Sequence, residues 1–176
     1  MSNFEDHNWD GCGFPESYLR SIFDFVKQRQ FKNVCLEIGF DSGSSALAFL
    51  RACPEAVLMS VDIQDSLKGV ELIANSEVKD RHSFIHADSR IYLKGLQGPF
   101  EYIYIDGDHD YDVALQDLKN CAGLLSEHGV MVVDDCDPGH QHFGVNKAVT
   151  EFINETGFVK SDLPGSPSFA VILTKP

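Results

Sequence analysis

The fold is decided by the stretch VCLEIGFDSGSS at residues 34–45. It predicts a short apolar strand that ends at Glu37, followed by a turn with Gly39 and Gly43 and then by a helix. Glycine permits a positive φ and close approach of a ligand. The serines of the turn are expected to cap the helix and to offer its free N–H groups to an anion. A carboxylate beside such a helix start suits a zwitterionic amino-acid group better than a pyrophosphate.

The same stretch resembles motif I of the class I S-adenosylmethionine-dependent methyltransferases, acidic-x-G-x-x-x-G, and S-adenosylmethionine carries a zwitterionic amino-acid group. The resemblance implies that Glu37, Gly39, Gly43 and Ser45 hold the methionine portion of this cofactor. Glu37 stands where the dinucleotide fingerprint G-x-G-x-x-G has its first glycine, which disfavours NAD. An NAD(P)-dependent oxidoreductase of Rossmann type and a non-catalytic S-adenosylmethionine-binding module are the alternatives.

Charge and composition limit the partners. The chain has 14 Lys and Arg against 27 Asp and Glu, a net charge of −13, which is unfavourable for binding nucleic acid or an anionic membrane. No apolar run reaches the roughly 20 residues that span a bilayer, so we expect a cytoplasmic protein. The five cysteines are odd in number and show no C-x-x-C spacing, which favours reduced core residues.

Short runs rich in Val and Ile alternate with amphipathic segments, the rhythm of βαβ units around a buried parallel sheet. The predicted strands are 33–38, 56–63, 83–87, 102–106, 130–134, 157–163 and 168–174, and the predicted helices are 15–30, 44–52, 67–75, 89–94, 111–125 and 145–156. The short turn between the last two strands makes them antiparallel. The predicted fold is α/β: a Rossmann-like, seven-stranded, mostly parallel sheet with an antiparallel terminal hairpin and helices on both faces. This order of elements is similar to the class I methyltransferase plan.

Residues 15–176 are predicted to form a single methyltransferase domain, and residues 1–14 a mobile N-terminal arm, since that segment is polar and contains glycines. Trp9 and Phe14 would allow the arm to cover the cofactor, although a frayed tail with a self-buried Trp9 is the favoured interpretation. Relatives commonly enclose the acceptor with added segments that this chain lacks. The acceptor pocket is therefore expected to be open or completed by a partner subunit, which is compatible with a homo-oligomer.

Polar residues follow the second and third predicted strands, at the sheet edge where open α/β folds bind ligands. The resemblance implies that Asp62 accepts hydrogen bonds from the ribose hydroxyls and that Ile63 lies against the adenine. It also implies that Asp88 and Ser89 meet the adenine edge. The simpler interpretation is that Asp62 and Asp88 only cap a turn or a helix.

Three carboxylates, Asp106, Asp134 and Asp135, are predicted at the ends of the fourth and fifth strands. Bare carboxylates at neighbouring strand ends repel one another, and a hard divalent cation would neutralise them, so Mg²⁺ or Mn²⁺ is expected. The runs I-D-G-D-H-x-Y (105–111) and G-V-x-V-x-D-D (129–135) resemble the metal-dependent small-molecule O-methyltransferases related to catechol and macrolide-sugar methyltransferases. The alternative is that these acids only cap the following turn or face solvent.

His109 occupies the position at which that branch carries its general base, so the resemblance implies a catalytic role for His109 together with Asp106. His140 and His142 are alternative bases, although solvated loop residues are the default interpretation. The predicted function is S-adenosylmethionine-dependent, divalent-metal-assisted O-methylation of a small-molecule hydroxyl. The acceptor itself is not predicted, because sugars, catechols and polyketide hydroxyls all fit.

Overall fold

The structure is a computed structural model that describes residues 2–137, 139, 143–166 and 170–176. The helices are α1 (Glu16–Arg29), α2 (Ser44–Ala52), α3 (Leu67–Ala74), α4 (Ser89–Tyr92), α5 (Tyr111–Leu124) and α6 (Phe143–Thr156). The strands are β1 (Val34–Ile38), β2 (Val57–Asp62), β3 (His82–His86), β4 (Phe100–Ile105), β5 (Leu125–Val133), β6 (Val159–Asp162) and β7 (Val171–Thr174). Every predicted element is present, and its bounds lie within three residues of the prediction except at the start of β5, while residues 168 and 169 of the last predicted strand lie outside the described residues.

All seven strands form one sheet in the order β3-β2-β1-β4-β5-β7-β6. The first five strands are parallel, and β7 inserts antiparallel between β5 and β6. The chain leaves β1 towards β2 on one side and returns through β4 on the other, so β1 and β4 flank the switch point. Ligands of open α/β sheets bind beyond the carboxyl ends of such strands. The predicted fold is confirmed.

Hydrophobic cores cover both faces of the sheet. One core contains Phe23 from α1 and Phe49 from α2, which are at most 1% exposed. The other contains Leu118 from α5 and Phe152 from α6, which are fully buried. Burial of each large apolar side chain contributes about 1.5–3 kcal/mol to the free energy of unfolding. The second core includes Ile38 and Ile105, the last residues of β1 and β4, so the strand ends at the switch point are packed from below.

The predicted mobile arm packs on this framework. Phe4 is 2% exposed, its ring stacks on Trp9 with centroids 4.4 Å apart, and the Trp9 indole N–H donates to the Phe4 carbonyl at 3.1 Å. Farther along, the Gly13 backbone N–H donates to Ser44 Oγ at 2.8 Å, at the start of α2. The arm thus has a defined packing that its polar composition did not predict, while its mobility stays a prediction.

All five cysteines are free thiols, and four of them are buried, as predicted. Among the described residues no helix is both long and apolar enough to cross a membrane.

Candidate active site

A cavity of about 740 Å³ opens at the carboxyl ends of β1, β2, β4 and β5. The residues predicted for the site that line it are Gly39, Ser45, Asp62, Ile63, Asp88, Ser89, Asp106, His109, Asp134 and Asp135. Glu37 and Gly43 do not reach its wall. Phe14 of the arm lines the cavity, whereas Trp9 packs away from it. The loop with His140 and His142 lies outside the described residues.

Two glycines shape the turn after β1, and Gly39 also lines the cavity. Gly39 has φ +85°, and a Cβ atom there would lie 1.9 Å from the carbonyl oxygen of Asp106, so only glycine lets β1 approach β4 this closely. Gly43 has φ +73° and is the N-cap of α2. The expectation that serines cap this helix was wrong: the cap makes no side-chain hydrogen bond, because Ser44 and Ser45 already belong to the first helical turn.

Glu37 is 1% exposed and lies behind the cavity wall. Its carboxylate accepts hydrogen bonds from Ser45 Oγ at 2.6 Å and from Ser60 Oγ at 2.5 Å. Burial raises the pKa of Glu37 to about 7 despite these two bonds. Glu37 therefore holds Ser45, which itself lines the cavity, rather than facing the cavity directly.

Glu37 should make the protein less stable as the pH rises from about 4.5 to about 7, because folded Glu37 retains a proton over this window that the unfolded chain has lost. The contribution of Glu37 to the free energy of unfolding should fall by about 1–3 kcal/mol. Asp117, whose pKa burial raises to about 6, adds to the lower part of the window. His82, whose pKa burial lowers to about 4, contributes a rise between about pH 4 and 6.5, so the test compares variants. Urea titrations across this pH range measure the slope. Glu37→Gln removes a negative contribution and should shift the slope to more positive values, and an unchanged slope in that variant would contradict the assignment.

Asp62 organises the motif I turn from the end of β2. Its Oδ2 accepts the backbone N–H groups of Phe40 at 2.8 Å and Asp41 at 3.0 Å, and its Oδ1 accepts that of Gln64 at 2.8 Å. Burial acts to raise the pKa of Asp62, but these backbone donors outweigh it and the pKa lies below its usual value. Asp62 is thus an ionised acceptor at the cavity wall. Beside it Ile63 is 62% exposed, a flat apolar surface suited to a planar ring.

Replacing Asp62 with alanine should weaken binding of S-adenosylmethionine by about 1–3 kcal/mol, the scale of a lost hydrogen bond to a charged group. This loss of binding free energy has two sources: Asp62 no longer contacts the ligand, and the motif I turn loses the side chain that orders it. Calorimetry measures the affinity, and Glu37→Ala should also reduce it. Unchanged affinity in both variants would overturn the motif I assignment.

Asp88 and Ser89 form hydrogen bonds with nearby residues, and the sequence alone did not identify these partners. Asp88 is the N-cap of α4, accepting the Arg90 backbone N–H at 2.9 Å and its guanidinium at 2.6 Å. The Arg90 side chain holds the pKa of Asp88 below its usual value. Ser89 donates to Asp117 at 2.8 Å. The capping interpretation of Asp88 is thus confirmed, and contact with adenine stays a prediction for both residues.

Three side chains converge at the ends of β4 and β5. One potential ligand atom from each of Asp106, His109 and Asp135 lies within 4.8 Å of the others, and His109 Nε2 is 2.9 Å from Asp135 Oδ2. Asp135 turns its side chain into this group from a left-handed backbone conformation with φ 54°. Burial together with the charges of Asp134 and Asp135 raises the pKa of Asp106 well above its usual value. Two carboxylates and an imidazole in this arrangement fit a divalent cation.

Asp134 is not part of this three-residue cluster, although the sequence predicted it as a metal ligand. Its Oδ2 accepts hydrogen bonds from Tyr18 and from Tyr104, the latter at 3.0 Å. Burial and the charges of Asp106 and Asp134 raise the pKa of Tyr18, so its hydroxyl remains a proton donor. Sequence reasoning missed Tyr18, which lines the cavity from α1, because no motif marks a residue so distant in sequence.

A profile of a methyltransferase family, described as a methyltransferase domain, matches residues 36–136, which is more than half of the chain. The chain belongs to this family. The predicted resemblance to the class I S-adenosylmethionine-dependent methyltransferases is confirmed. A search of curated proteins found no match.

Solved structures share the fold. PaMTH1, a methyltransferase of Podospora anserina bound to S-adenosylhomocysteine, matches with a TM-score of 0.73 and 19% identity, over 95% of this chain and 81% of that chain. TomG, an O-methyltransferase of tomaymycin synthesis from Streptomyces achromogenes bound to S-adenosylmethionine, matches with a TM-score of 0.69 and 19% identity, over 93% of this chain and 82% of that chain. Cofactor-bound Rv0187 from MTB matches with a TM-score of 0.72 and 16% identity, over 97% of this chain and 85% of that chain. At such identities these likenesses establish the fold alone.

Proposed function

We propose that this methyltransferase transfers the methyl group of S-adenosylmethionine to a hydroxyl of a small molecule, with the help of Mg²⁺ or Mn²⁺. The observation that carries the proposal is the convergence of Asp106, His109 and Asp135 at one wall of the cavity, next to the motif I turn. A cation-binding set beside a donor pocket suits an acceptor oxygen. TomG, which shares the fold, is itself an O-methyltransferase.

The donor would lie along the ends of β1, β2 and β3. The start of α2 offers free N–H groups to its carboxylate, and Ser45 offers a hydroxyl to its amino-acid end. Asp62 accepts from the ribose, and Ile63 supports the adenine. These contacts fix the sulfonium so that its methyl group faces the acceptor in line, which is the main contribution of positioning to such a reaction.

The acceptor would lie on the β4 and β5 side. Asp106 and Asp135 would hold the cation, which supplies Lewis-acid polarisation of the acceptor hydroxyl when bound. Asp135 orients the imidazole of His109 through the 2.9 Å contact, and His109 takes the hydroxyl proton as the methyl group is transferred. Tyr18 and Tyr104 hold Asp134 against the cavity wall, where it adds negative charge.

Charge limits the class of acceptor. Among the described residues the cavity is lined by nine aspartates, namely Asp41, Asp62, Asp88, Asp106, Asp108, Asp117, Asp134, Asp135 and Asp137, and by a single guanidinium, that of Arg90. Arg90 is already paired with Asp88. A polyphosphate or nucleic acid would be repelled by this lining and by the net charge of −13. We therefore propose a neutral or cationic small-molecule acceptor, and a cytoplasmic protein without nucleic-acid or membrane partners.

The test is methyl transfer from labelled S-adenosylmethionine to a panel of catechols, sugars and aliphatic alcohols, each with and without Mg²⁺. A labelled methyl ether formed only with metal supports the proposal, and methylation at nitrogen or carbon alone would contradict it. Thermal stabilisation of the protein by NAD(P), and not by S-adenosylmethionine, would favour the oxidoreductase alternative. Cofactor binding without turnover on the whole panel would favour the non-catalytic module.

A further inference from the structure

A polar row, buried on β1 and β2 and half-buried on β3, crosses three neighbouring strands behind the cavity. Glu37 on β1 lies opposite Ser60 on β2, and Ser60 lies opposite Phe84 on β3. His82 precedes Phe84 by two residues and so presents its side chain on the same face of the sheet. Glu37 and Ser60 are at most 1% exposed. The function described so far uses neither Ser60 nor His82.

The hydrogen bonds of this row all point in one direction. When Glu37 is ionised, as it is beside a bound cationic group, both of its oxygens accept. Ser60 Oγ then donates its single hydrogen to Glu37 Oε2 at 2.5 Å and accepts from His82 Nε2, which lies 2.8 Å away. His82 therefore carries its proton on Nε2. Burial lowers the pKa of His82 to about 4, which keeps the ring neutral near pH 7. The ring is held by Phe40, whose centroid lies 4.8 Å from it at an interplanar angle of 23°.

The consequence at the cavity concerns Ser45. Its hydroxyl donates to Glu37 Oε1 at 2.6 Å, and a hydroxyl has only one hydrogen to give. Its remaining lone pairs are therefore the only hydrogen-bonding capacity that Ser45 can offer to a ligand. A ligand group that contacts these lone pairs of Ser45 must be a hydrogen-bond donor. The α-ammonium group of an amino acid is such a donor, and it carries the charge that compensates buried Glu37.

We propose that Ser60 and His82 are positioning residues for the amino-acid end of the methyl donor. Acting through Glu37, they fix Ser45 as a hydrogen-bond acceptor for the ammonium group of that ligand. The inference rests on the proposed function in that it takes the ligand to be S-adenosylmethionine. It adds two residues that touch no ligand, and it assigns Glu37 an indirect role.

The experiment compares two ligands that share the adenosine and thioether. S-Adenosylhomocysteine carries the amino-acid group, and 5′-methylthioadenosine lacks it. Ser60→Ala should raise the Kd of S-adenosylhomocysteine by about 5–20-fold, the effect of one lost hydrogen bond to a charged group, and leave the Kd of 5′-methylthioadenosine within about 2-fold. His82→Phe keeps a ring against Phe40 and removes the N–H, so it should show the same selectivity with a smaller effect. Ser83→Ala, at an exposed position of β3, is the control.

Calorimetry separates the outcomes. Selective loss of S-adenosylhomocysteine affinity in both variants supports the row as a positioning device. Equal loss for both ligands is the result of a merely structural role and would overturn the inference, as would unaltered affinity for both. Failure of the unaltered protein to bind S-adenosylhomocysteine would instead overturn the proposed function.

Discussion

Replacement of His109 by alanine is expected to lower kcat by about 10²–10⁴-fold, the usual contribution of a positioned general base. The affinity for S-adenosylmethionine should stay nearly unchanged, because His109 stands on the β4 and β5 side of the cavity, away from the motif I turn. The loss should shrink for acceptors with more acidic hydroxyls, which need less help to lose a proton. Steady-state kinetics across a series of substituted phenols, together with calorimetry, measure both effects. His128→Ala, at an exposed position of β5, is the matched control.

The same variant separates two roles of His109 that the geometry allows. Nε2 lies beside Asp135 in the three-residue cluster, so His109 is placed either as a base or as a third ligand of the cation. If His109 is the base, added imidazole should restore part of the activity of His109→Ala, and the metal concentration needed for half-maximal activity should not change. A ligand role would instead raise the metal concentration needed for half-maximal activity. Full kcat in His109→Ala would place the base elsewhere, with His140 and His142 the next candidates.

Removal of divalent cations should abolish turnover, and Mg²⁺ or Mn²⁺ should restore it. The expected loss is about 10³-fold or more, since a Lewis-acid metal contributes several kcal/mol of transition-state stabilisation. Asp106 and Asp135 repel one another unless a cation neutralises them, as the raised pKa of Asp106 indicates, its main cause being burial. Activity assays with EDTA followed by metal titration test the requirement. Turnover that is indifferent to the chelator would contradict it.

Single substitutions test which acids serve the metal. Asp135→Asn should need far more metal than the unaltered protein, because it removes a charged oxygen from the cluster. Asp134→Asn should act less on metal dependence, since the Asp134 carboxylate already accepts from Tyr18 and Tyr104. Asp24→Asn, at an exposed position of α1, is the control. An equal metal requirement in Asp134→Asn and Asp135→Asn would support the set of three aspartates predicted from the sequence.

The bounds of helices and strands were predicted well where the local sequence signal is strong. α2 has the bounds predicted for it, because a glycine turn and an apolar run define both its ends. β5 begins at Leu125 rather than at Val130, since Leu125 pairs with Phe100 across a shift of register that no local pattern reveals. α4 has only one turn before a 3-10 segment begins at Leu93. Tertiary pairing thus decided the start of β5.

The sequence by itself determined the order of strands and helices, the glycine turn after β1 and the carboxylates at the strand ends, because period, turn chemistry and position along the chain are local properties. Only the tertiary structure decided which way those side chains face. Glu37 is turned behind the cavity towards Ser60, and Asp134 towards Tyr18. Successive residues of a strand point to opposite faces, and in a sheet covered on both sides either face is buried. Sequence pattern therefore could not tell a residue that meets the ligand from one that supports it.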